Sequence, residues 1–360
     1  MRTVLPAGRR LTRRTTVLPL LGALALGAAL AGCGGSADTS TTNAAETTGA
    51  AGHSSAQLAL VAYSTPKPAY DKLIAAYTAS AAGKTDSFTE SFGASGAQSR
   101  AVASGQSADV VAFSTTPDVT RLVKAGLVDS SWNSGQYKGI VSDSVVVLVV
   151  RKGNPKHITG WDDLVKPGVD VVTPNPSTSG SARWNILAGY GAELKEGNSP
   201  AQALAYVNTL LTKNVSVQDS SGSAAMRTFT GGKGDVLLSY ESEAIAAKKK
   251  GAAIDYIVPK QTILIETPIA VTSKSSHSAQ AKAFVQWLLT PAAQTIWAKQ
   301  GYRPVDQSVL SQYSSTFPTP SQLFTIKDLG GWTKVSKDFF APGTGSITKI
   351  EQAAGVPTAS

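Results

Sequence analysis

Residues 173–191 read TPNPSTSGSARWNILAGYG, and this stretch decides how the rest of the chain is interpreted. Pro174 and Pro176 end a β-branched run, and the residues that follow have the composition of a helix. The junction holds hydroxyl side chains and Gly180, and no charged side chain occurs before Arg183. The first turn of a helix has free backbone N–H groups and a partial positive charge. Because glycine allows a ligand close to the backbone, this turn predicts an anion site made of neutral donors.

Three other stretches also end a strand and begin a helix. They are YSTPKPAY (63–70), SFGASGAQSRAV (91–102) and SSGSAAMRTF (220–229). Serine and glycine are common at helix starts, so each turn alone indicates only a capped helix. The recurrence of four such turns favours a shared function, because several helix starts can surround one small anion.

Strands and amphipathic helices alternate from Gln57 onward, which predicts an α/β fold with sheets covered on both faces. Roughly 300 folded residues are more than a single hydrophobic core usually accommodates. Two lobes are therefore expected, with the ligand cleft between them. Two long β-branched runs could cross between the lobes, at 142–150 and 263–273. The predicted boundaries are 57–141 plus 268–350 for lobe 1 and 142–267 for lobe 2.

The start of the chain resembles a bacterial lipoprotein signal. A basic stretch and an apolar run too short to span a bilayer precede Leu30-Ala31-Gly32-Cys33. In a lipobox of this form the signal is cut before the cysteine, and that cysteine is lipidated. We therefore expect a signal peptide over 1–32, followed by lipidated Cys33 and a flexible tether over 33–56. An ordinary signal peptide with a stray cysteine and a membrane anchor are the alternatives.

The composition argues against several classes of function. The formal net charge is +9, but five arginines lie in residues 1–32, which hold no acid, so the remainder carries +4. The basic residues are not concentrated in a stripe, as they are in a nucleic-acid-binding protein. A single cysteine excludes intramolecular disulfides, and none of the three histidines stands near a cysteine or acid pair at metal spacing. We expect no metal, no cofactor and no catalytic residue.

The chain resembles the sulfate- and thiosulfate-binding proteins of bacterial ABC importers. The resemblance covers nearly all of residues 57–342 and is densest in RKGNPKHITGWDDLVKPGVDVVTPNPSTSGSARWNILAGYG (151–191). It extends through GDVLLSYESEAI (234–245) and YRP (302–304). It implies a two-lobed periplasmic-binding-protein fold of type II, with mixed sheets flanked by helices. A dehydrated sulfate would be held between the lobes.

The resemblance also implies a set of ligand-binding residues. In this family, backbone N–H groups, serine hydroxyls and an indole N–H hold the anion. These roles fall on Ser64, Ser95, Ser179, Gly180, Ser181, Gly222 and Tyr240. Ser64 stands where the family usually has aspartate, and Ser181 replaces the second glycine of a Ser-Gly-Gly motif. Tyr240 replaces the family's tryptophan, and a phenol differs from an indole in reach and direction.

The residues themselves favour a fully ionised anion. Sulfate has no proton at neutral pH, whereas phosphate keeps one and favours a carboxylate acceptor, and none of the four turns has an acid at its mouth. Glu241 is interpreted as a helix-start residue or an ion-pair partner, for example of Arg183.

The sequence therefore predicts a monomeric, non-enzymatic lipoprotein on the outer face of the cell membrane. It would capture sulfate or thiosulfate for the permease of an ABC importer. The alternatives are a binding protein for molybdate or phosphate, and a hydrolase that uses Ser64 or Ser95. The hydrolase is disfavoured because no base stands near those serines in the sequence.

Overall fold

The computed structural model describes residues 55–358, which form one mixed β-sheet with helices packed against it. The strands are β1 Gln57–Tyr63, β2 Ser87–Gly93, β3 Val110–Ala112, β4 Ile140–Arg151, β5 Val171–Pro174, β6 Val215–Asp219, β7 Val236–Tyr240, β8 Ile254–Ile257, β9 Gln261–Val271 and β10 Gln322–Phe324. Their order in the sheet is β2-β1-β3-β9-β4-β7-β5-β6, with β8 on β4 and β10 on β9.

The helices follow the strands in the alternation that the sequence predicts. They are α1 Lys67–Ala79, α2 Ser95–Ala103, α3 Thr116–Lys124, α4 Gly180–Lys195, α5 Pro200–Thr209, α6 Gly222–Thr230, α7 Glu241–Lys249, α8 Ser278–Leu288, α9 Pro291–Lys299, α10 Gln307–Gln312, α11 Gly331–Phe340 and α12 Ser346–Ala353. Short turns of 3₁₀-helix lie at Trp161–Val165 and Ile326–Leu329, and a π-helical turn at Leu210–Asn214. Proline in the first turn fixes the start of α1, α3, α5 and α9.

The long strands β4 and β9 join the two parts of the sheet. They pair antiparallel with each other from Ile140–Pro268 to Val145–Leu264. Beyond this region β4 pairs with β7, and β9 pairs with β3. Parallel pairing is found where a helix connects neighbouring strands, as in β1–β2 and β5–β6. The sheet is therefore mixed because its two crossing strands run antiparallel to each other, to β3 and to β7.

The buried core is divided on either side of these crossing strands. Two clusters combine residues from 56–128 with Val141 and with residues from 269–302. We call 56–128 and 269–302 the flanking segments. Two others centre on residues 145–254, within the middle segment 142–267. This arrangement agrees with the predicted α/β class, with mixed sheets flanked by helices.

The C-terminal segment packs mainly against the middle segment. Phe324, Val335, Phe339 and Ile347 are buried in the same cluster as Trp184 and its neighbours. The rings of Trp184 and Trp332 meet edge to face, with centroids 4.7 Å apart. The lobe boundaries stay a prediction, and this packing would place residues 322–350 with lobe 2 rather than lobe 1.

The predicted signal peptide, Cys33 and most of the tether lie outside the described residues. Among residues 55–358, no helix combines the length and the apolar character that a membrane crossing requires.

Candidate functional site

The four strand-to-helix turns meet at one small, tightly packed cavity, together with the loop that follows β3. The lining residues are Tyr63, Ser64, Thr65, Gly93, Ala94, Ser95, Ser114, Ser179, Ser181, Ser221 and Gly222. This set contains no acidic or basic side chain, as far as the described residues show. The cavity is thus surrounded by hydroxyl groups and backbone N–H groups.

Most of the predicted ligand-binding residues are brought together here. Those that line the cavity are Ser64, Ser95, Ser179, Ser181 and Gly222. Gly180 lies between two of them as the first residue of α4. Tyr240 does not line the cavity, whereas Thr65 and Ser114, which the sequence analysis missed, do. The available signal for Ser114 is its position two residues after the apolar run that forms β3.

The helix starts at the cavity offer N–H groups without capping side chains. The residue before α2 is Ala94, which has no hydroxyl, and Ser179 before α4 makes no capping hydrogen bond. The Ser179 hydroxyl instead lies 2.7 Å from the Ser181 hydroxyl. At α6, by contrast, Ser221 accepts a hydrogen bond from the N–H of Ala224. Buried N–H groups need an acceptor, so the first turns of α2 and α4 are suited to bind an anion.

The hydroxyl of Ser95 is already bonded within the protein. It donates to Asp118 Oδ2 at 2.6 Å and accepts from the N–H of Ser114 at 2.9 Å. Asp118 also accepts from the Thr115 hydroxyl and from Arg121, each at 2.9 Å. A serine hydroxyl has a single proton to donate. What Ser95 can offer an anion in this arrangement is therefore its backbone N–H.

Ser114 links the two sides of the site. Its hydroxyl lies 2.7 Å from Tyr240 Oη, and its carbonyl accepts from the indole N–H of Trp184 at 2.7 Å. Burial raises the pKa of the Tyr240 phenol well above its ordinary value, so this phenol stays protonated. Ser114 thus lines the cavity, and its hydroxyl keeps its proton for an anion when Tyr240 is the donor of the pair.

Gly180 and Gly222 allow unusually close packing around the cavity. A Cβ atom on Gly180 would lie 2.8 Å from both Cβ and Oγ of Ser114. A Cβ atom on Gly222 would lie 2.9 Å from Ser181 Oγ and 3.1 Å from Glu243 Oε2. Close-packed interiors do not absorb such contacts without displacement of their neighbours. Both positions therefore require glycine for the backbone to approach.

A buried carboxyl group lies directly behind Gly222. Glu243 Oε2 accepts a hydrogen bond from the Ser239 hydroxyl at 2.8 Å. Burial raises the pKa of Glu243 to about 7, although hydrogen bonds from Ser239 and Thr65 and the charge of Arg227 oppose the rise. The sequence analysis did not identify this residue. Its ionisation would put a negative charge next to the cavity.

Glu241 forms a buried ion pair, but its partner is Arg303. Arg303 Nε lies 2.7 Å from Glu241 Oε2, and Nη2 lies 3.1 Å from Oε1. Arg183 instead donates from Nε to the carbonyl of Pro176 at 3.0 Å. The suggested pairing with Arg183 is therefore wrong. The reason is that α7 turns its first residue toward the YRP segment, away from α4.

Groups that could support metal or base chemistry lie elsewhere. The carboxylate oxygens of Asp162, Glu193 and Glu196 lie within 4.8 Å of one another, but none of these residues lines the cavity. The same is true of His157 and His277, the histidines of the described residues.

Comparison with known proteins identifies the family. A family described as bacterial extracellular solute-binding protein matches residues 58–303, a span that contains every residue lining the cavity. The chain belongs to this family. The cavity formed by the helix starts therefore belongs to a solute-binding protein.

Three similar proteins illustrate the relationship. The sulfate-binding protein of Synechococcus elongatus is 40% identical over 351 residues, which cover 95% of this chain and 97% of the relative. The thiosulfate-binding protein of Pseudomonas aeruginosa is 34% identical over 82% of this chain and 92% of the relative. The solved structure of the sulfate-binding protein SubI from Mycobacterium tuberculosis is 46% identical, with a TM-score of 0.78, over 80% of this chain and all of that one. These likenesses confirm the predicted family and fold class of this solute-binding protein.

Proposed function

We propose that this solute-binding protein captures sulfate or thiosulfate outside the cytoplasm for an ABC importer. The observation that carries the proposal is the small cavity at which four helix-forming turns converge. It offers hydroxyl and N–H donors without a charged side chain, as a fully ionised tetrahedral anion requires. The names of the sulfate- and thiosulfate-binding relatives support the same assignment.

Backbone N–H groups supply most of the proposed contacts. We assign ligand binding to Ser64, Ser95, Ser179, Gly180, Ser181 and Gly222, as the sequence predicted. To these we add the hydroxyl of Ser114, because it lines the cavity. Tyr240 then acts through Ser114, to which it is hydrogen-bonded.

Calorimetric titration with sulfate, thiosulfate, molybdate and phosphate tests the proposal. We expect one-to-one binding of sulfate or thiosulfate, and phosphate binding that is about five- to 150-fold weaker at neutral pH. Phosphate brings a proton that needs an acceptor, and leaving a buried polar group unpaired costs about 1–3 kcal/mol. Binding of molybdate or phosphate in preference to sulfate would contradict the assigned cargo.

We propose binding without turnover. A hydrolase would need a base beside Ser64 or Ser95, but Lys67 lies 2.8 Å from Asp71 in an ion pair on α1. The expectation that no base stands near these serines is wrong for Ser95, whose hydroxyl donates to Asp118 Oδ2, because residues 23 positions apart meet there. That carboxylate also accepts from Arg121 and from the Thr115 hydroxyl, so we assign it the role of orienting Ser95. Release of product from sulfate or phosphate esters, measured with the purified protein, would overturn this part of the proposal.

The lipid anchor is proposed from the sequence alone. Cys33→Ala should move the bulk of the protein from the membrane fraction to the soluble fraction, because the acyl chains can no longer be attached. The affinity for sulfate should not change. Cell fractionation followed by titration measures both, and membrane retention of the variant would contradict the anchor. We also propose that the protein is a monomer and docks on a membrane permease.

Glu243 should make the sulfate affinity depend on pH. A bound dianion next to this carboxyl group favours its protonated form, so the pKa of Glu243 should rise above 7 in the complex. Affinity should then be constant below pH 7 and fall about fivefold as the pH is raised through the next one to two units. Titration calorimetry at several pH values measures this, and Glu243→Gln should remove the dependence.

A matched variant separates this effect from general titration of the surface. Glu196→Gln also removes one carboxylate, but Glu196 is exposed and lies away from the cavity. We expect this variant to keep the pH dependence of the unmodified protein. The phenols of Tyr63, Tyr240 and Tyr302 also face Glu243, but burial raises the pKa of each well above its ordinary value. An unchanged pH profile in Glu243→Gln would contradict the assignment.

A further inference from the structure

A second recess of about 770 Å³ lies between helices that also border the small cavity. One wall comes from α2 and α3, and the other from the start of α4 and from α11 and α12. Gly96, in the first turn of α2, contacts the opposite wall. Its N–H donates to the carbonyl of Thr178 at 3.1 Å. We call this recess the arginine groove, because Arg100, Arg121 and Arg183 line it.

The three guanidinium groups of the arginine groove influence one another. Burial lowers the pKa of Arg100, and the neighbouring Arg121 lowers it further. Burial also lowers the pKa of Arg183, and both Arg121 and Arg100 add to that effect while Asp118 opposes it. Like charges that line one recess repel each other in a partly buried setting. Lys124 and Lys337 add two exposed cations to the same groove.

The protein's own acceptors do not neutralise this charge. The carboxylate of Asp118 accepts from Arg121, but it also accepts hydrogen bonds from the hydroxyls of Ser95 and Thr115. The acid that lines the groove, Glu351, is buried, and burial raises its pKa. Within residues 55–358, the side chain of Arg100 makes no hydrogen bond, although its Nη1 lies close to the start of α2. The groove is thus lined by five cationic side chains and one acidic side chain.

Two guanidinium groups are also held in position for a ligand. Arg183 is fixed by the bond from its Nε to the Pro176 carbonyl, and its Cζ lies 5.1 Å from the centre of the Phe340 ring. Arg121 Nη1 donates to Ser99 Oγ at 2.7 Å. An arginine that is fixed through part of its fork can present its other N–H groups to an oxyanion with little loss of entropy.

We propose that Arg100, Arg121 and Arg183 form a second site for a tetrahedral dianion, weaker than the enclosed cavity and outside it. Arg100 and Arg183 stand on α2 and α4, within two turns of the helix starts that line the cavity. The N–H bond from residue 96 to Thr178 separates the two sites. When the flanking and middle segments part, that bond opens, and an anion held by the arginines has a direct path to the helix starts. Only the identity of the anion as sulfate rests on the proposed function.

Equilibrium dialysis of the full protein with labelled sulfate, from micromolar to tens of millimolar, tests this inference. We expect two bound sulfates per chain, one tight and one weak. Arg100→Gln should weaken the second at least about tenfold and leave the tight site within about twofold, since Arg100 has no described hydrogen bond to lose. Lys72→Gln on exposed α1 removes the same charge at a distant surface and should change neither site. Arg100→Lys should restore the weak site in part, because lysine keeps the charge without the fork.

The outcomes separate this inference from the proposed function. A single, tightly bound sulfate per chain, or a weak site that Arg100→Gln leaves unchanged, would overturn the inference and leave the proposed function intact. If the unmodified protein binds sulfate only weakly, and Arg100→Gln removes that binding, the proposed function is contradicted and the arginine site still stands. Selenate soaked into crystals gives a second measurement, because its anomalous signal should appear among the three guanidinium groups as well as in the cavity. Absence of the signal among the arginines would also overturn the inference.

Discussion

Gly180→Val is expected to weaken sulfate binding by about a thousandfold or more, which corresponds to about 4 kcal/mol. The added Cβ would lie 2.8 Å from the Cβ of Ser114 and 2.9 Å from Cγ2 of Thr115. These atoms belong to the flanking segments, whereas Gly180 begins α4 in the middle segment. The clash therefore forces the start of α4 away from Ser114 and Thr115 and also keeps the anion from the N–H groups of the first turn. Titration calorimetry measures the loss, and Gly180→Ala should give an intermediate effect.

The fold itself should tolerate this change, and that can be checked. Gly135→Val is a matched control, because a Cβ on Gly135 meets no atom within 4 Å. Without ligand, both variants should melt within a few degrees of the unmodified protein. With sulfate, the control should show the usual ligand-induced rise in melting temperature, and Gly180→Val should not. Retained affinity in Gly180→Val would show that the anion does not bind at the start of α4.

Local patterns in the sequence were enough to predict most elements of the fold. The β-branched runs at 142–150 and 263–273 correspond to β4 and β9, which join the two parts of the sheet. The direction of pairing was harder, because parallel or antiparallel register depends on partners far apart in the chain. For the same reason the packing of Phe324 and Phe339 against the middle segment had no local signal.

The candidate site shows the same division. Helix-start chemistry is local, so the turns around Ser95, Ser179 and Gly222 could be recognised from a few residues each. The use of the Ser95 hydroxyl by Asp118 could not, because it depends on a contact between residues 23 positions apart. Glu243 was overlooked because its place behind the cavity follows from how α7 packs against the start of α6. Sequence reasoning thus identified the donors but not the network that orients them.

Ser114→Ala is expected to weaken sulfate binding by about thirtyfold. Its hydroxyl lines the cavity, and a hydrogen bond to a charged group contributes about 1.5–3 kcal/mol. Tyr240→Phe should have a smaller effect, of about threefold to fivefold, because it removes only the partner that orients this hydroxyl. Ser131→Ala, on an exposed loop, is the matched control and should leave the affinity unchanged. Titration with sulfate and thiosulfate measures all three variants.

The double variant decides whether Tyr240 acts only through Ser114. If it does, Ser114→Ala with Tyr240→Phe should bind sulfate about as weakly as Ser114→Ala alone, because the phenol has no remaining role at the anion. If the phenol contacts the anion directly, as the resemblance to an indole donor implies, the two losses should add. Tyr240→Trp extends the test, because the indole has a single donor and a different reach. In that variant the ratio of sulfate to thiosulfate affinity should change, since the larger ring displaces the Ser114 hydroxyl. An unchanged ratio would show that Ser114 and Tyr240 do not determine selectivity between the two anions.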